Sequence, residues 1–223
     1  TSILANAINN VDQRGILVST DASQTNISHT TVRDAGVEDQ SAGIADSGSN
    51  TEHLSNTIES GDGPGLVISD TISPPTVRDI TLQFNDGRAL IANNTGEFKS
   101  ENLFLGGIAD NITISGKDYA IDDAANPSAD LPVGQQDIGI YLDTTTDTGY
   151  INDLRVEYPD SVVSSLNESS LRLWEYDGSW TQASPTNDVT TADNVVFADI
   201  TSSDVTVAPL LDNDIPSAAA SLR

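Results

Sequence analysis

Short apolar runs separated by polar, glycine-bearing turns recur along the first half of the chain. Ala7-Ile8-Asn9-Asn10-Val11-Asp12-Gln13-Arg14-Gly15 sets a pattern that returns at residues 26–36, 53–61 and 79–87, and more loosely at 98–106. The closing glycines, Gly15, Gly36, Gly61, Gly87 and Gly106, are spaced by 21, 25, 26 and 19 residues. A second apolar run follows each: Ile16-Leu17-Val18, Gly43-Ile44-Ala45, Gly65-Leu66-Val67-Ile68, Ala89-Leu90-Ile91 and Gly107-Ile108-Ala109. Each unit therefore holds two or three β-prone segments of strand length. The 3.6-residue period of an amphipathic helix is missing, and so is the L-x-x-L-x-L signature of leucine-rich repeats.

A unit of roughly two dozen residues cannot bury its own apolar side chains, but a stack of such units can. Three ladders are predicted: Ile8, Ile27, Leu54 and Ile80; Val11, Val32, Ile58 and Phe84; and Ile16, Ile44, Leu66 and Leu90. With about 4.8 Å between stacked strands, five coils make a column about 24 Å long. Residues 37–42 read as a loop inserted at one corner. Residue 1 falls inside a coil, so further coils, a cap or a neighbouring chain are expected against that end, because an open stack of strand edges invites aggregation.

After Gly116 the repeat fades. Residues 117–136 read as a polar connection, residues 137–211 as a small antiparallel β-sandwich, and residues 212–223 as a linker or tail. Strands are predicted at Asp137–Leu142, Ile151–Glu157, Leu171–Tyr176, Ser179–Gln182, Asn194–Asp199 and Val205–Ala208. Tyr176-Asp177-Gly178-Ser179 is a tight turn, since Asp-Gly favours positive φ. Pro159 to Leu166 reads as the one helical turn, capped by Asp160 or Ser161.

Gly15-Ile16-Leu17-Val18-Ser19, followed by Asn26-Ile27-Ser28-x-x-x-Val32-x-x-x-Gly36, resembles the coils of the pectate-lyase-like right-handed parallel β-helix superfamily. That superfamily is common in surface proteins of haloarchaea, and the resemblance covers about residues 1–115. It implies a fold and not an activity, because lyases, hydrolases, adhesins and viral tailspikes all use it. The hairpin Leu171-Arg172-Leu173-Trp174-Glu175-Tyr176-Asp177-Gly178-Ser179-Trp180, with the later runs Asn194–Ala198 and Thr206–Leu210, is similar to small β-domains that follow repeats in archaeal surface proteins. The expected class is all-β: a right-handed parallel β-helix stub over residues 1–116, then the sandwich.

Charge places the chain in a setting. Acidic residues number 34 against 9 basic ones, a formal net charge of −25. Lysine occurs only at Lys99 and Lys117, and Asp outnumbers Glu by 26 to 8. Such a surface repels phosphate backbones, which excludes nucleic acid as a partner. Disorder is the competing explanation of the acidity, but these acids are scattered singly among Val, Ile and Leu. A folded protein adapted to high salt fits better, because salt shortens the range of the self-repulsion. With no cysteine, stability must come from packing, ions or assembly. No apolar run approaches the ~20 residues of a membrane span. No signal peptide is evident, and Thr1 in place of an initiator Met reads as processing, or as a piece of something longer.

Candidate chemistry follows from the acids, the aromatics and the asparagines. Asp12, Asp34, Glu59 and Asp86 precede the repeat glycines. Resembling families cleave sugar chains with carboxylates on adjacent coils, yet acids at turns in so acidic a chain read as solvated surface. Arg33 and Arg78, each within Thr-Val-Arg-Asp, are expected to pair with a local Asp. Asp21, Asp46, Asp70 and Asp110, with Asn93 between, form an acidic file after the second apolar run. Stacked carboxylates repel unless cations sit among them, and an oxygen-only set suits Ca²⁺ or Na⁺. His29 and His53 occupy different repeat positions with no nucleophile nearby, so neither a triad nor a zinc site is expected. Trp174, Tyr176 and Trp180 form either a sugar-stacking face or hairpin packing. Asn26, Asn93, Asn111 and Asn167 lie in Asn-x-Ser/Thr sequons, candidate glycosylation sites on an exported protein.

These features lead to an expected non-enzymatic, extracellular structural or adhesive module of a halophilic cell-surface protein or surface assembly. Its partners would be other protein subunits or cell-surface glycans. The alternatives are a fragment of a carbohydrate-active lyase or hydrolase, and a spike or fibre of a virus infecting a halophile.

Overall fold

The computed structural model describes residues 1–35, 41–59, 63–71, 73–83, 88–106, 111–164, 166–183 and 186–213. The first coil is built from β1 (Ser2–Leu4), β2 (Ala7–Val11) and β3 (Ile16–Val18). The second uses β4 (Asn26–Ser28), β5 (Thr31–Ala35) and β6 (Ile44–Asp46), and the third β7 (Glu52–Leu54), β8 (Thr57–Glu59) and β9 (Leu66–Ser69). In the fourth, the first two strands merge into β10 (Thr76–Gln83), followed by β11 (Leu90–Asn93); β12 (Phe98–Leu105) opens a fifth. Successive coils pair in parallel, giving a β-solenoid of about four turns.

The ladder Ile16, Ile44, Leu66 and Leu90 stands in register as predicted, with every member buried. The other two are corrected. Ile27 stacks between Ile3 and His53, and that row continues to Val77 and Ser100. Ile8 belongs to the next sheet, with Val32, Ile58, Leu82 and Leu105. Leu54 lies in a row with Ser28 and Arg78, Val11 stacks on Ala35, and Ile80 on Leu103. Phe84 lies outside the described residues.

The cause is a corner that alternation alone does not reveal. One residue per coil turns left-handed between the first two sheets: Ala5 (φ 50), His29 (φ 52), Ser55 (φ 53), Asp79 (φ 56) and Asn102 (φ 54). This residue interrupts the two-residue period, so the runs on either side of it face inward from different sheets. A non-glycine residue there costs about 1–2 kcal/mol, and the stack compensates with bonds such as those of Asn56. That buried side chain accepts from the Thr30 amide at 2.9 Å and donates to the Ile27 carbonyl at 2.8 Å, tying the third coil to the second.

The column is closed at its far end by β13 (Ile112–Asp123), which runs antiparallel to both β12 and β11. Ser100 faces Ile114 across the first pairing, and Leu90 faces Ile121 across the second. The other edge of β13 pairs with β15 (Leu142–Glu157). The two backbones bulge together at two glycines. A Cβ on Gly116 would lie 2.2 Å from the Tyr150 carbonyl oxygen, and one on Gly149 would lie 1.8 Å from that of Lys117. Solenoid and sheet thus share a strand that runs through the boundary drawn at residue 116, and only residues 124–134 of the connection lack strand.

The rest is an antiparallel sheet region. β15 takes in the predicted strand Ile151–Glu157 and extends it back to Leu142, whereas of the predicted strand Asp137–Leu142 only the two end residues lie in strands. Its first half bonds β20 (Asp204–Asp212) and its second half β19 (Val195–Ile200), so the sheet parts into two leaves. β20 also carries β14 (Gln135–Asp137) and β16 (Arg172–Tyr176). The outer partners are β17 (Trp180–Gln182) on β16 and β18 (Asp188–Thr190) on β19. Leu173, Val207 and Leu211 from one leaf, with Val196 and Ala198 from the other, join a core continuous with the solenoid interior. The helical turn is α1 (Asp160–Val163). Pro159, not Asp160 or Ser161, sits at its N-cap without a side-chain cap, and a 3₁₀ turn follows at Glu168–Ser170.

Candidate functional site

The solenoid carboxylates reach sideways to the next coil. Glu52 accepts from Asn26 at 2.8 Å, Asp70 from Asn94 at 2.6 Å and Asp79 from Asn102 at 2.8 Å. Arg33 pairs with Glu59 at 2.8 Å and Arg78 with Glu101 at 2.9 Å. The expected pairing of these arginines with a local Asp is corrected. A strand arginine sits directly over the same position of the adjoining coil, whereas the next residue along points elsewhere.

The acidic file does not stack as a file. Asp46 points inward, in register with Val18 and Ile68, while Asp21 and Asp70 are exposed, as is Asn93. Asp110 lies outside the described residues, as does Asp86. Among the described residues, no group of three or more His, Asp or Glu side chains is placed to hold a metal ion.

Asp46 instead heads a buried polar cluster. Its Oδ1 accepts from the Gly48 amide at 2.8 Å, and its Oδ2 from the Thr51 hydroxyl at 2.5 Å and from His53 Nε2 at 2.8 Å. Asp46 and His53 are both fully buried, and His53 Nδ1 has no hydrogen-bond partner among the described residues. Burial alone would raise the Asp46 carboxyl. The hydrogen bond and Coulombic attraction of His53, with Thr51 and Gly48, outweigh it and hold the group below its ordinary value. Neither residue was paired with the other from sequence, because their meeting needs the turn between β6 and β7.

A pair of carboxyls, Asp122 and Asp123, sits where β13 meets the solenoid. Burial, then the charge of Asp123, pushes Asp122 up from 3.8 to about 7. The cross-strand neighbour of Asp122 is Asp143, which accepts from the Thr206 hydroxyl at 2.7 Å.

Two grooves meet at the β16–β17 hairpin, where Tyr176 faces Trp180 across the turn and Gly178 takes φ 72. One, of about 350 Å³, runs from Arg88 of the solenoid along Asp143, Thr145 and Asp204 to Tyr176 and Asp177. The other, of about 320 Å³, lies between Trp180 and Ala129, Asp130 and Pro132. The Tyr176 and Trp180 rings are 5.1 Å apart at 49°. Trp174 shares the face of Tyr176, as parity predicts, but with Trp180 it is half-buried against the cluster of Tyr141, Ala208 and Leu210. Tyr176 is the member of the aromatic set shared by both grooves. The same hairpin buries Glu175, which accepts from the Thr201 amide at 3.1 Å and from the Ser202 hydroxyl.

The sequons divide by the freedom of the amide. Asn93 and Asn167 are exposed, whereas Asn26 and Asn111 donate their side-chain nitrogens to Glu52 and Glu157. On the outer face of the third sheet, Leu17, Ala45, Val67 and Ile91 stack into an uncharged stripe beside a groove of about 420 Å³. No helix among the described residues is long and apolar enough to cross a membrane. Comparison with protein families, with curated proteins and with solved structures gave no match.

Proposed function

We propose that this chain is a structural or adhesive module of an extracellular, salt-adapted surface assembly, and that it works without catalysing a reaction. The observation that carries the reading is the set of lateral bonds from Glu52, Glu59, Asp70, Asp79 and Glu101 to neighbouring coils. These acids are paired along the coils of a shaft instead of converging in a cleft. The net charge of −25 supports use in concentrated salt, where repulsion within the fold is screened. The finer assignment, to right-handed pectate-lyase-like surface proteins of haloarchaea or their viruses, rests on the coil motif. Partners would be further subunits, or glycans met at Tyr176 and Trp180.

An antiserum against this chain should label the surface of intact salt-grown cells, or of virions, that carry it. Label found only after lysis counts against the proposal. A second reading has one observation in its favour: the Arg88 groove gathers Asp143, Asp177 and Asp204. Incubation with neutral and uronic-acid polysaccharides in molar salt separates the two. Release of reducing ends that Asp143→Asn abolishes would establish the carbohydrate-active alternative.

A further inference from the structure

We propose that Asn167 is the acceptor for an N-linked glycan on the folded chain, and that the fold withholds the other three sequons. A transfer enzyme needs two groups within reach at once, the asparagine amide nitrogen and the hydroxyl two residues on. Asn167 and Ser169 are both exposed. The Ser169 hydroxyl donates to Asn167 Oδ1 at 2.8 Å, which sets the two groups side by side. Among the described residues, nothing accepts from Asn167 Nδ2. The residues between and after the pair hold the turn. Glu168 accepts from the Tyr158 hydroxyl at 2.9 Å. The Ser170 hydroxyl donates to the Asn167 carbonyl at 2.7 Å and accepts from the Asp212 amide at 2.9 Å. The acceptor and its hydroxyl are thus presented outward by two half-buried neighbours.

Each of the other sequons fails on one of the two groups or on both. Asn26 gives its Nδ2 to Glu52 at 2.8 Å, a bond between coils, and its Ser28 is buried. Asn111 gives its Nδ2 to Glu157 at 2.7 Å. Asn93 is exposed, but Thr95 is only 3 % exposed and its hydroxyl is enclosed. The inference rests on the extracellular reading for its setting, and on these contacts alone for its choice of asparagine. The donor is a sugar chain carried on a polyprenyl phosphate or diphosphate. In the transfer, the bond from Asn167 Nδ2 to the sugar C1 forms and the bond from C1 to the phosphate oxygen breaks. The lipid leaves as its phosphate, the amide proton passes to a base of the transfer enzyme, and nothing is oxidised or reduced.

The test is to secrete the full chain, through an added leader, from a salt-grown host that N-glycosylates its own proteins. Peptide mass spectrometry should then find glycan at Asn167 in most molecules. Occupancy at Asn26, Asn93 and Asn111 should be at least about tenfold lower, because transfer there waits on local opening of the fold. Ser169→Ala should remove the glycan from Asn167, and Ser169→Thr should keep it. The Ser169 side chain is exposed, so both variants should melt with the parent chain once glycans are removed. An empty Asn167, in a host whose resident glycoproteins are modified, overturns the inference. So does equal occupancy at any of the other three, or a glycan that survives Ser169→Ala. Chain recovered from its own cells tests the setting separately. If it is unmodified there while the secreted chain carries glycan at Asn167, the extracellular reading fails and the acceptor stands.

Discussion

In the solenoid, Ile44 lies between Ile16 and Leu66, and its surroundings recur one coil later. In the antiparallel region, Leu173 faces Pro209 across a strand pair and shares a core with Val196 of the other leaf, a combination that, among the described residues, does not repeat along the chain as the coil rows do. The first region is stabilised by neighbours in a line and the second by contacts closing from several directions. Their responses to damage should differ accordingly. In a stacked array a defect is felt by the adjoining coils, whereas a defect between two leaves is shared by both.

The largest expected effect comes from the buried polar cluster, where the line of apolar neighbours is interrupted. Asp46→Ala leaves His53 buried without its carboxylate and should cost about 3–5 kcal/mol, read by denaturant unfolding in molar KCl. A loss below about 1 kcal/mol, the range of an exposed pair, would mean that the cluster does not organise the middle coils. Leu173→Ala should cost about 2–5 kcal/mol as a core cavity and lower hydrogen-exchange protection in both leaves. Ile27→Ala should lower protection chiefly in β1, β4 and β7; an even loss along the whole chain would erase the distinction between the regions.

pH should separate the two regions in opposite directions. Asp122 is held up near 7 in the fold, above its ordinary 3.8, so folding favours its protonated form. Its contribution is full below about 3.8 and is lost as pH rises through about 7. Asp46 is held down, so its contribution is present above the ordinary carboxylate value and is lost as pH falls through its lower folded value. A rise to neutral pH should therefore weaken the junction, and acid the solenoid. Melting curves of Asp122→Asn should show a flatter decline toward neutral pH than those of the parent chain, and superimposable profiles would disprove the assignment. The smallest effect is expected at Arg33→Ala. Its exposed pair with Glu59 should contribute about 0–1 kcal/mol, and less in molar salt, measured by the same denaturant titration.

The ladder from Ile16 to Leu90 was legible because its strands are apolar, short and uninterrupted. The sheets on either side of the corner were not, because Ala5, His29 and Ser55 share a backbone angle and no side-chain property. The partners of Arg33 and Arg78 did leave a signal: Glu59 and Glu101 follow them by 26 and 23 residues, one coil length each. Only the register turns that spacing into contact. Nothing in the alternation of β13 announces that it runs antiparallel, and Arg88 meets Tyr176 in one groove from opposite halves of the chain. The hairpin was readable from Asp177-Gly178, but which faces its aromatics would cover depended on residues 124–134 crossing over them.

The left-handed corner also bears on how such a chain can change over time. The stretch between the second and third strands of a coil runs over residues 12–15 in the first coil, 36–43 in the second and 60–65 in the third. The step past the corner keeps its length in all three, two residues between strands. Insertions can therefore accumulate on one side of the column while the other keeps count. A gene built on this plan can gain, lose or lengthen coils without losing its reading of inside and outside, because the bookmark is an angle and not a letter.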